Sequence, residues 1–336
     1  MTVNPRRRKT CILVSAAVLE LCFCLWLIFA MFVPAGRDRQ VVVRIPVGTS
    51  ATSIARLLHG AGVVRSAAGF AILAQFRGCS RALKPGAYKL SPAMTPNEIM
   101  EKIAHGEVFA RWVTFPEGFT VWQIAQRLES EGLANASRFF KLAHAQGKLF
   151  KTDFPHPGDN LEGYLFPDTY LIPVGAKEES IIRMMLDTFH ARVSPLIAGK
   201  NVDLHKIVTL ASLIEREARV PKDRPLISAV LRNRLARGMR LECDATVLYA
   251  LGRHKNRVLY DDLKVDSPYN TYVYPGLPPG PIANPGLASI KAALYPAKVD
   301  YLYYTARADG SHIFTRTLKD HLEATRFARR ERSLAR

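Results

Sequence analysis

The feature that most constrains the fold is an internal repeat. IPVGTSATSIARLLHGAGVV begins at Ile45, and FPEGFTVWQIAQRLESEGLA begins at Phe115, a constant offset of 70 residues. In that register Pro46 matches Pro116, Gly48 matches Gly118 and Ser50 matches Thr120. Ile54-Ala55 match Ile124-Ala125, Leu58 matches Leu128, Gly62 matches Gly132 and Phe70 matches Phe140. Each copy reads as a strand, a glycine turn, a helix opened by Ser or Thr and a glycine stop. Thr120 and Gln123 have capping-box spacing, and so do Thr95 and Glu98. Between the copies, GAYKL and TPNEIMEKIAHGE add a further strand and helix. The pattern reads as small α+β units.

Ahead of the repeat, Arg6, Arg7, Arg8 and Lys9 precede an apolar run from Cys11 to Val33. Such a run is long enough for a bilayer-spanning helix, and its basic flank predicts a cytoplasmic N-terminus. It is longer than the core of a cleaved signal peptide, and no small-x-small cleavage site follows. Glu20 interrupts it. The expected layout is a cytoplasmic tail over 1–10, a transmembrane helix over 11–33, a repeat-bearing region over 40–150 and a second folded region over 158–336. The strand–helix units of 40–150 resemble LysM-type modules, which bind N-acetylglucosamine polymers. Plain packing or positioning is the other reading of such units.

The formal charge of +18 suits an anionic partner: nucleic acid, acidic lipid or an anionic polymer. No zinc-finger, RNA-recognition or helix-turn-helix signature favours nucleic acid, and the outward topology opposes it. Three of the five cysteines, Cys11, Cys22 and Cys24, lie in the apolar run. Cys79 and Cys243 remain, and their pairing is not legible. His190, His205, His254, His312 and His321 are scattered without ligand spacing, so neither a metal nor another cofactor is expected.

The loop-rich stretch from His144 to Asn160, with Pro155, Pro157 and Gly158, marks the expected main boundary. Beyond it, LEGYLFPDTY at 161–170 interleaves aromatic residues with Glu162 and Asp168. That composition can line a sugar cleft or form an ordinary aromatic turn. Glu178 to Leu196 reads as a helix. Leu204 to Ala218, LHKIVTLASLIEREA, carries apolar residues at Ile207, Leu210, Ala211, Ile214 and Ala218, the spacing of a helix with one buried face. Asp203 is its expected N-cap. Glu215 and Glu217 fall on opposite shoulders of the apolar stripe. A carboxyl group there can be desolvated and so kept protonated, or it can pair in solvent with Arg216, Arg219 or Lys222. Asp223 is expected to cap the next helix, ISAVLRNRLARG. LECDATVLYALG at 241–252 reads as a turn and a short helix. DSPYNTYVYPGLPPGPIANP at 266–285 holds six prolines and two glycines, a loop of fixed shape. Tyr269, Asn270, Thr271 and Tyr272 supply it with stacking and hydrogen-bonding groups. A short helix follows at 288–294. YLYYTARADGSHIFT, from Tyr301, predicts a hairpin turning at Asp309-Gly310, and an Arg-rich helix with a solvated face closes the chain.

Several of these pieces, in this order, resemble the membrane-anchored endolytic murein transglycosylases, the YceG-like family. They are LEGYLFPDTY (161–170), ASLIEREA (211–218), LRNRLARGMRLECDATVLYALG (231–252), SPYNTYVYPGLPPGPIANPGLASIKAALYPA (267–297) and YLYYTARADGSHIFTRTLKDH (301–321). The resemblance implies an α+β chain: an N-terminal transmembrane helix, small LysM-like modules and a mixed α+β catalytic domain. It implies cleavage, without water, of the β-1,4 bond between N-acetylmuramic acid and N-acetylglucosamine in nascent peptidoglycan strands, leaving 1,6-anhydro-muramyl ends and limiting strand length. It places the catalytic glutamate at Glu215, with Glu217 as the alternative. Tyr164, Asp244, Tyr269, Asn270 and Thr271 are the candidates for positioning the glycan. Ala245 stands where the family usually has proline. The implied setting is single-pass in the inner membrane, with the catalytic domain periplasmic and peptidoglycan synthases as partners. Two rivals stay open. A muramidase would need a second carboxylate from Glu162, Asp168 or Asp244. A tethered peptidoglycan-binding scaffold would bind without turnover.

Overall fold

The computed structural model describes residues 5–156, 158–252 and 258–334. Residues 1–4, the start of the expected cytoplasmic tail, lie outside that set, and so do Pro157 and His254. The chain groups into two compact units, one of residues up to Arg111 together with Leu171–Ala176, the other of Trp112–Tyr170 and the residues from Lys177 onward. The second copy of the repeat therefore groups with the C-terminal residues, although the sequence pattern suggests a boundary near 150.

In the first unit, helix α1 (Pro5–Phe32) covers the run expected to be an anchor. Among the described residues, no helix is long and apolar enough to cross a membrane. The side chains at 11–13, 16, 24, 27, 30 and 31 of the expected span are outside the described set. Val14, Leu19, Phe23, Ile28 and Phe32 of α1 are exposed. Strand β1 (Val41–Ile45) is followed by α2 (Ala51–Gly60), α3 (Ala67–Phe76), β2 (Gly86–Leu90) and α4 (Pro96–His105). β1 and β2 pair antiparallel, with Val43 opposite Tyr88. The helices close over the sheet on Ile54, Leu58, Phe70, Leu73, Ile99 and Ile103. Ser50 caps α2 through the Ser53 N–H. Thr95 and Glu98 form the expected capping box on α4, which Gly106 ends in the left-handed conformation.

The chain passes between the units within β3 (Ala110–Thr114) and β4 (Thr169–Pro173), which pair. In the second unit the repeat recurs as α5 (Val121–Ser130) and α6 (Ala136–Ala145). Thr120 and Gln123 form the expected capping box. The match of Phe70 with Phe140 is corrected here. The turn between the two helices is one residue shorter in the second copy, so Asn135 occupies the capping place of Ser66. Phe139 is fully buried, as Phe70 is, whereas Phe140 lies edge-on to Trp122, with ring centroids 5.2 Å apart.

Helix α7 (Glu178–Ile197) precedes α8 (Leu204–Glu217), whose N-cap is Asp203 as expected. α8 buries Leu204, Val208, Leu210, Ala211, Leu213 and Ile214. Its two buried hydroxyls are satisfied: Thr209 donates to His205 O at 2.8 Å and Ser212 to Thr209 O at 2.7 Å. α9 (Arg224–Ala236), α10 (Asp244–Ala250) and α11 (Leu287–Leu294) pack on α8. The expected cap of α9 is also corrected. Asp223 has helical backbone angles and no capping hydrogen bond, because an N-cap side chain reaches back only from extended backbone. It instead accepts the His312 N–H at 2.8 Å and pairs with the His312 ring at 2.9 Å. β5 (Tyr303–Ala306) and β6 (His312–Thr315) form the hairpin, with Tyr303 opposite Thr315 and its turn at Asp309-Gly310, before α12 (Leu318–Leu334).

Candidate active site

The last turn of α8 carries both candidate glutamates, and they diverge as the stripe geometry requires. The Glu215 side chain is 6% exposed, and Arg224 Nη2, at the start of α9, lies 3.2 Å from its Oε1. The Gly286 N–H donates to Oε2 at 2.9 Å. Glu215 therefore pairs in a buried setting with Arg224, not in solvent with Arg216, Arg219 or Lys222. The Arg224 guanidinium is itself anchored by Ser289 Oγ at 3.1 Å. Arg216 donates to the Gly118 carbonyl at 3.2 Å. Glu117 Oε2 is 3.8 Å from the same Arg224 Nη2 that holds Glu215. Partial burial pushes the Glu117 carboxyl above its ordinary value, and the charge of Glu215 adds to the shift.

Glu217 turns the other way. Burial pushes it up to about 7, and the nearby Asp244 carboxylate adds to the shift. The Tyr304 hydroxyl and the Ala245 N–H oppose it by hydrogen-bonding the ionised form. A proline at 245 would remove that donor. Asp244 accepts the Tyr272 hydroxyl at 2.6 Å. Burial, and secondarily the charge of Glu217, push the Cys243 thiol well above its usual range. Cys243 and Cys79 are both free thiols.

A third buried group joins the segments around the two glutamates. Glu162 is 2% exposed. It accepts the Val121 N–H at the start of α5 at 3.0 Å, Asn284 Nδ2 at 3.1 Å and the Tyr249 hydroxyl at 3.4 Å. Burial outweighs these donors and pushes its carboxyl up to about 8. Asn284 Oδ1 accepts two further N–H groups, from Gly163 and Leu165, each at 2.9 Å. Gly163 has φ +90°, and a Cβ there would lie 2.5 Å from Pro281, so this approach is open only to glycine.

The candidate glycan-positioning residues distribute unevenly. Tyr164 is buried, stacks with His205 and shares a hydrogen bond with its Nδ1 at 3.1 Å. Tyr269 packs on Tyr249, with centroids 4.9 Å apart, beside Glu162. Asn270 is fully buried and donates to Leu263 O and Val265 O, while Thr271 accepts the Cys243 N–H at 3.0 Å. The structure brings Asp244 together with Glu217, and Tyr269 with Glu162. A groove of about 760 Å³ lies along α7, lined by Arg183, Met184, Asp187 and Arg192, and none of its lining residues belongs to the three carboxylate groups.

The sequence matches the profile of the YceG-like family over residues 43–327. The chain belongs to the YceG-like family. A Bacillus subtilis protein named endolytic murein transglycosylase is 39% identical over 314 residues, covering 87% of this chain and 86% of its own length. A Streptococcus pneumoniae protein of the same name is 32% identical over 322 residues, covering 86% of this chain and 58% of its own length. The crystal structure of a YceG-like protein from Listeria monocytogenes superposes with a TM-score of 0.56 at 37% identity, covering 84% of this chain and 98% of that one.

Within this YceG-like chain, residue-by-residue reading overlooked Glu117, Arg224, Asn284, Gly286 and Tyr304. Signals for some were present. Glu117 sits in FPEGFT, where the first repeat has valine (Val47), and Asn284 and Gly286 sit at the end of the Pro/Gly-rich loop. Arg224 and Tyr304 carried no local signal, because their partners are set by tertiary packing.

Proposed function

We propose that this chain is an endolytic lytic transglycosylase of peptidoglycan, cutting the β-1,4 bond between N-acetylmuramic acid and N-acetylglucosamine and leaving 1,6-anhydro-muramyl ends. The observation that carries the assignment of roles is Glu215 itself, a nearly buried carboxyl in ASLIEREA fixed on two sides by Arg224 and the Gly286 N–H. One carboxyl group serves twice in such a reaction. Protonated, Glu215 gives its proton to the leaving glycosidic oxygen. Ionised, it takes the proton of the C6 hydroxyl that attacks C1. Arg224 and the Gly286 N–H stabilise the ionised state that exists between the two transfers. The muramyl N-acetyl group stabilises the cationic centre at C1, and Tyr164, Asp244, Tyr269, Asn270 and Thr271 shape the glycan site.

The test is digestion of purified peptidoglycan strands by wild type and Glu215→Gln, with products read by mass spectrometry. Anhydro-muramyl ends from the wild type alone are the expected result. Reducible muramic acid ends would make the enzyme a muramidase. Anhydro ends from both proteins would move the role to Glu217. Binding without cleavage by either would leave a tethered scaffold.

The setting belongs to the same reading. The apolar run at 11–33 and the exposed apolar residues of α1 support a single-pass inner-membrane anchor with the enzyme on the periplasmic side. Protection of the folded part from protease added outside spheroplasts would refute it. The β–α–α–β order of β1, α2, α3 and β2 supports a LysM-like, glycan-binding role for the first unit. Loss of strand binding on mutation of its exposed residues is the check. Association with peptidoglycan synthases follows from action on nascent strands, and failure to co-purify with any synthase from membranes counts against it.

A further inference from the structure

A general acid needs a proton, yet Glu215 is held in the manner of an anion, by a guanidinium and a backbone N–H. Its route to the acid form is visible beside it. Arg224 Nη2 lies 3.2 Å from Glu215 Oε1 and 3.8 Å from Glu117 Oε2, so one cation serves two carboxylates. Gly286 binds the pair together. Its N–H holds Glu215, and its missing side chain makes room for Glu117: a Cβ on Gly286 would fall 1.7 Å from Glu117 Oε1. Gly286 has φ −77° and ψ 169°, which any residue adopts, so glycine there answers to space and not to backbone angle.

Resting on the reading of Glu215 above, we infer that Glu117 is a positioning residue that exchanges one proton with Glu215 across the shared Arg224. In the resting state Glu117 is the carboxylic acid and Glu215 the carboxylate paired with Arg224. In the reactive state Glu215 holds the proton, and Arg224 pairs with the Glu117 carboxylate. One proton moves, no net charge appears, and the guanidinium always faces one anion. Glu117 is suited to this. It is about half exposed, with a 48% accessible side chain, so water can relay the proton, and burial together with Glu215 favours its protonated form.

The other charged groups around the pair are accounted for. Arg216 is committed to the Gly118 carbonyl. Glu217 and Asp244 belong to the Tyr304 and Tyr272 group. On α9, Arg232 and Arg234 donate to Ala293 O and Leu302 O. The charged residue of α11, Lys291, is exposed.

The test is the pH profile of kcat/KM on purified glycan strands, using the full chain in detergent, for wild type, Glu117→Gln, Glu117→Asp, Gly286→Ala and Glu215→Gln. Removing the Glu117 charge leaves Arg224 wholly to Glu215, which then loses its proton at lower pH. The alkaline limb of Glu117→Gln is therefore expected to move acidward by about one unit or more, a loss of about tenfold or more above the limb that recovers on acidification. Gly286→Ala, which pushes the Glu117 carboxyl aside, is expected to move the limb the same way. Glu117→Asp keeps the charge and holds the limb nearer the wild-type position. A Glu117→Gln profile lowered evenly at every pH, or left unchanged, overturns the pair. If Glu117→Gln melts below the assay temperature, the limb of Gly286→Ala decides. An active Glu215→Gln enzyme sinks the reading of Glu215, whereas an inactive one together with an unmoved Glu117→Gln limb sinks the pair alone.

Discussion

Replacing Glu162 by glutamine should make the protein more stable at neutral and alkaline pH, although it removes a residue with several hydrogen bonds. Burial raises the Glu162 carboxyl from 4.5 to about 8 in the folded protein. Its folded-state pKa exceeds its unfolded one, so the stability it contributes is complete below about 4.5 and is lost as pH rises through about 8. Between those values the folded chain holds a proton that the unfolded chain has released. At 1.36 kcal/mol per unit, the loss across the window reaches about 4–5 kcal/mol, set against a total stability of about 5–15 kcal/mol for an ordinary protein. Glutamine cannot titrate. Its carbonyl can still accept from Val121 N–H and Asn284, and its amide can donate to the Tyr249 oxygen. Urea unfolding of wild type and Glu162→Gln at pH 5, 6.5 and 8, extrapolated linearly, measures the difference. Glu217 is raised in the same direction, but it is common to both proteins and cancels. The variant should gain about 2 kcal/mol or more on the wild type between pH 5 and pH 8. Curves parallel within about 0.5 kcal/mol would refute the argument, since they would mean that Glu162 is ionised in the fold at no cost.

Two further outcomes are expected. Asn284→Ala leaves the buried Gly163 and Leu165 N–H groups without their acceptor and Glu162 without a donor, a loss of about 3–5 kcal/mol by thermal or urea unfolding; a loss below about 1 kcal/mol would show that water replaces the amide. Gly163→Ala meets Pro281 at 2.5 Å and Val208 at 2.8 Å at φ +90° and should cost about 2–4 kcal/mol. Gly175→Ala, at φ +82° with open space around its Cβ, should cost only about 1 kcal/mol; equal losses would show that backbone angle, not the close approach, governs position 163.

What was legible in the chain was local. The caps at Ser50, Thr95 and Thr120, the apolar stripe of α8 and the Asp309-Gly310 turn depend on neighbours a few residues away, and each appears in the structure. The stripe also predicted that Glu215 and Glu217 diverge. It could not predict what each meets, because Arg224 and Gly286 come to Glu215 from other elements. Asp223 shows the same limit: local spacing made it a cap, and a histidine 89 residues away claims it. Asn270 and Thr271 attracted notice as polar residues in a rigid loop. Their hydrogen bonds maintain that loop, a use that composition cannot distinguish from reaching toward a ligand.

The way Glu215 is held also has a consequence for biosynthesis. Its backbone donor lies 71 residues further along the chain, and the Asn284 that ties Glu162 to Gly163 and Leu165 comes 119 to 122 residues after them. Contacts of such sequence separation are closed late, after most of the loop entropy has been lost. A nascent chain that has not yet emerged past Gly286 has α8 and its glutamates but not the N–H that fixes Glu215. The order of synthesis thereby delays the assembly of the wall-cleaving group until the chain through Gly286 has emerged.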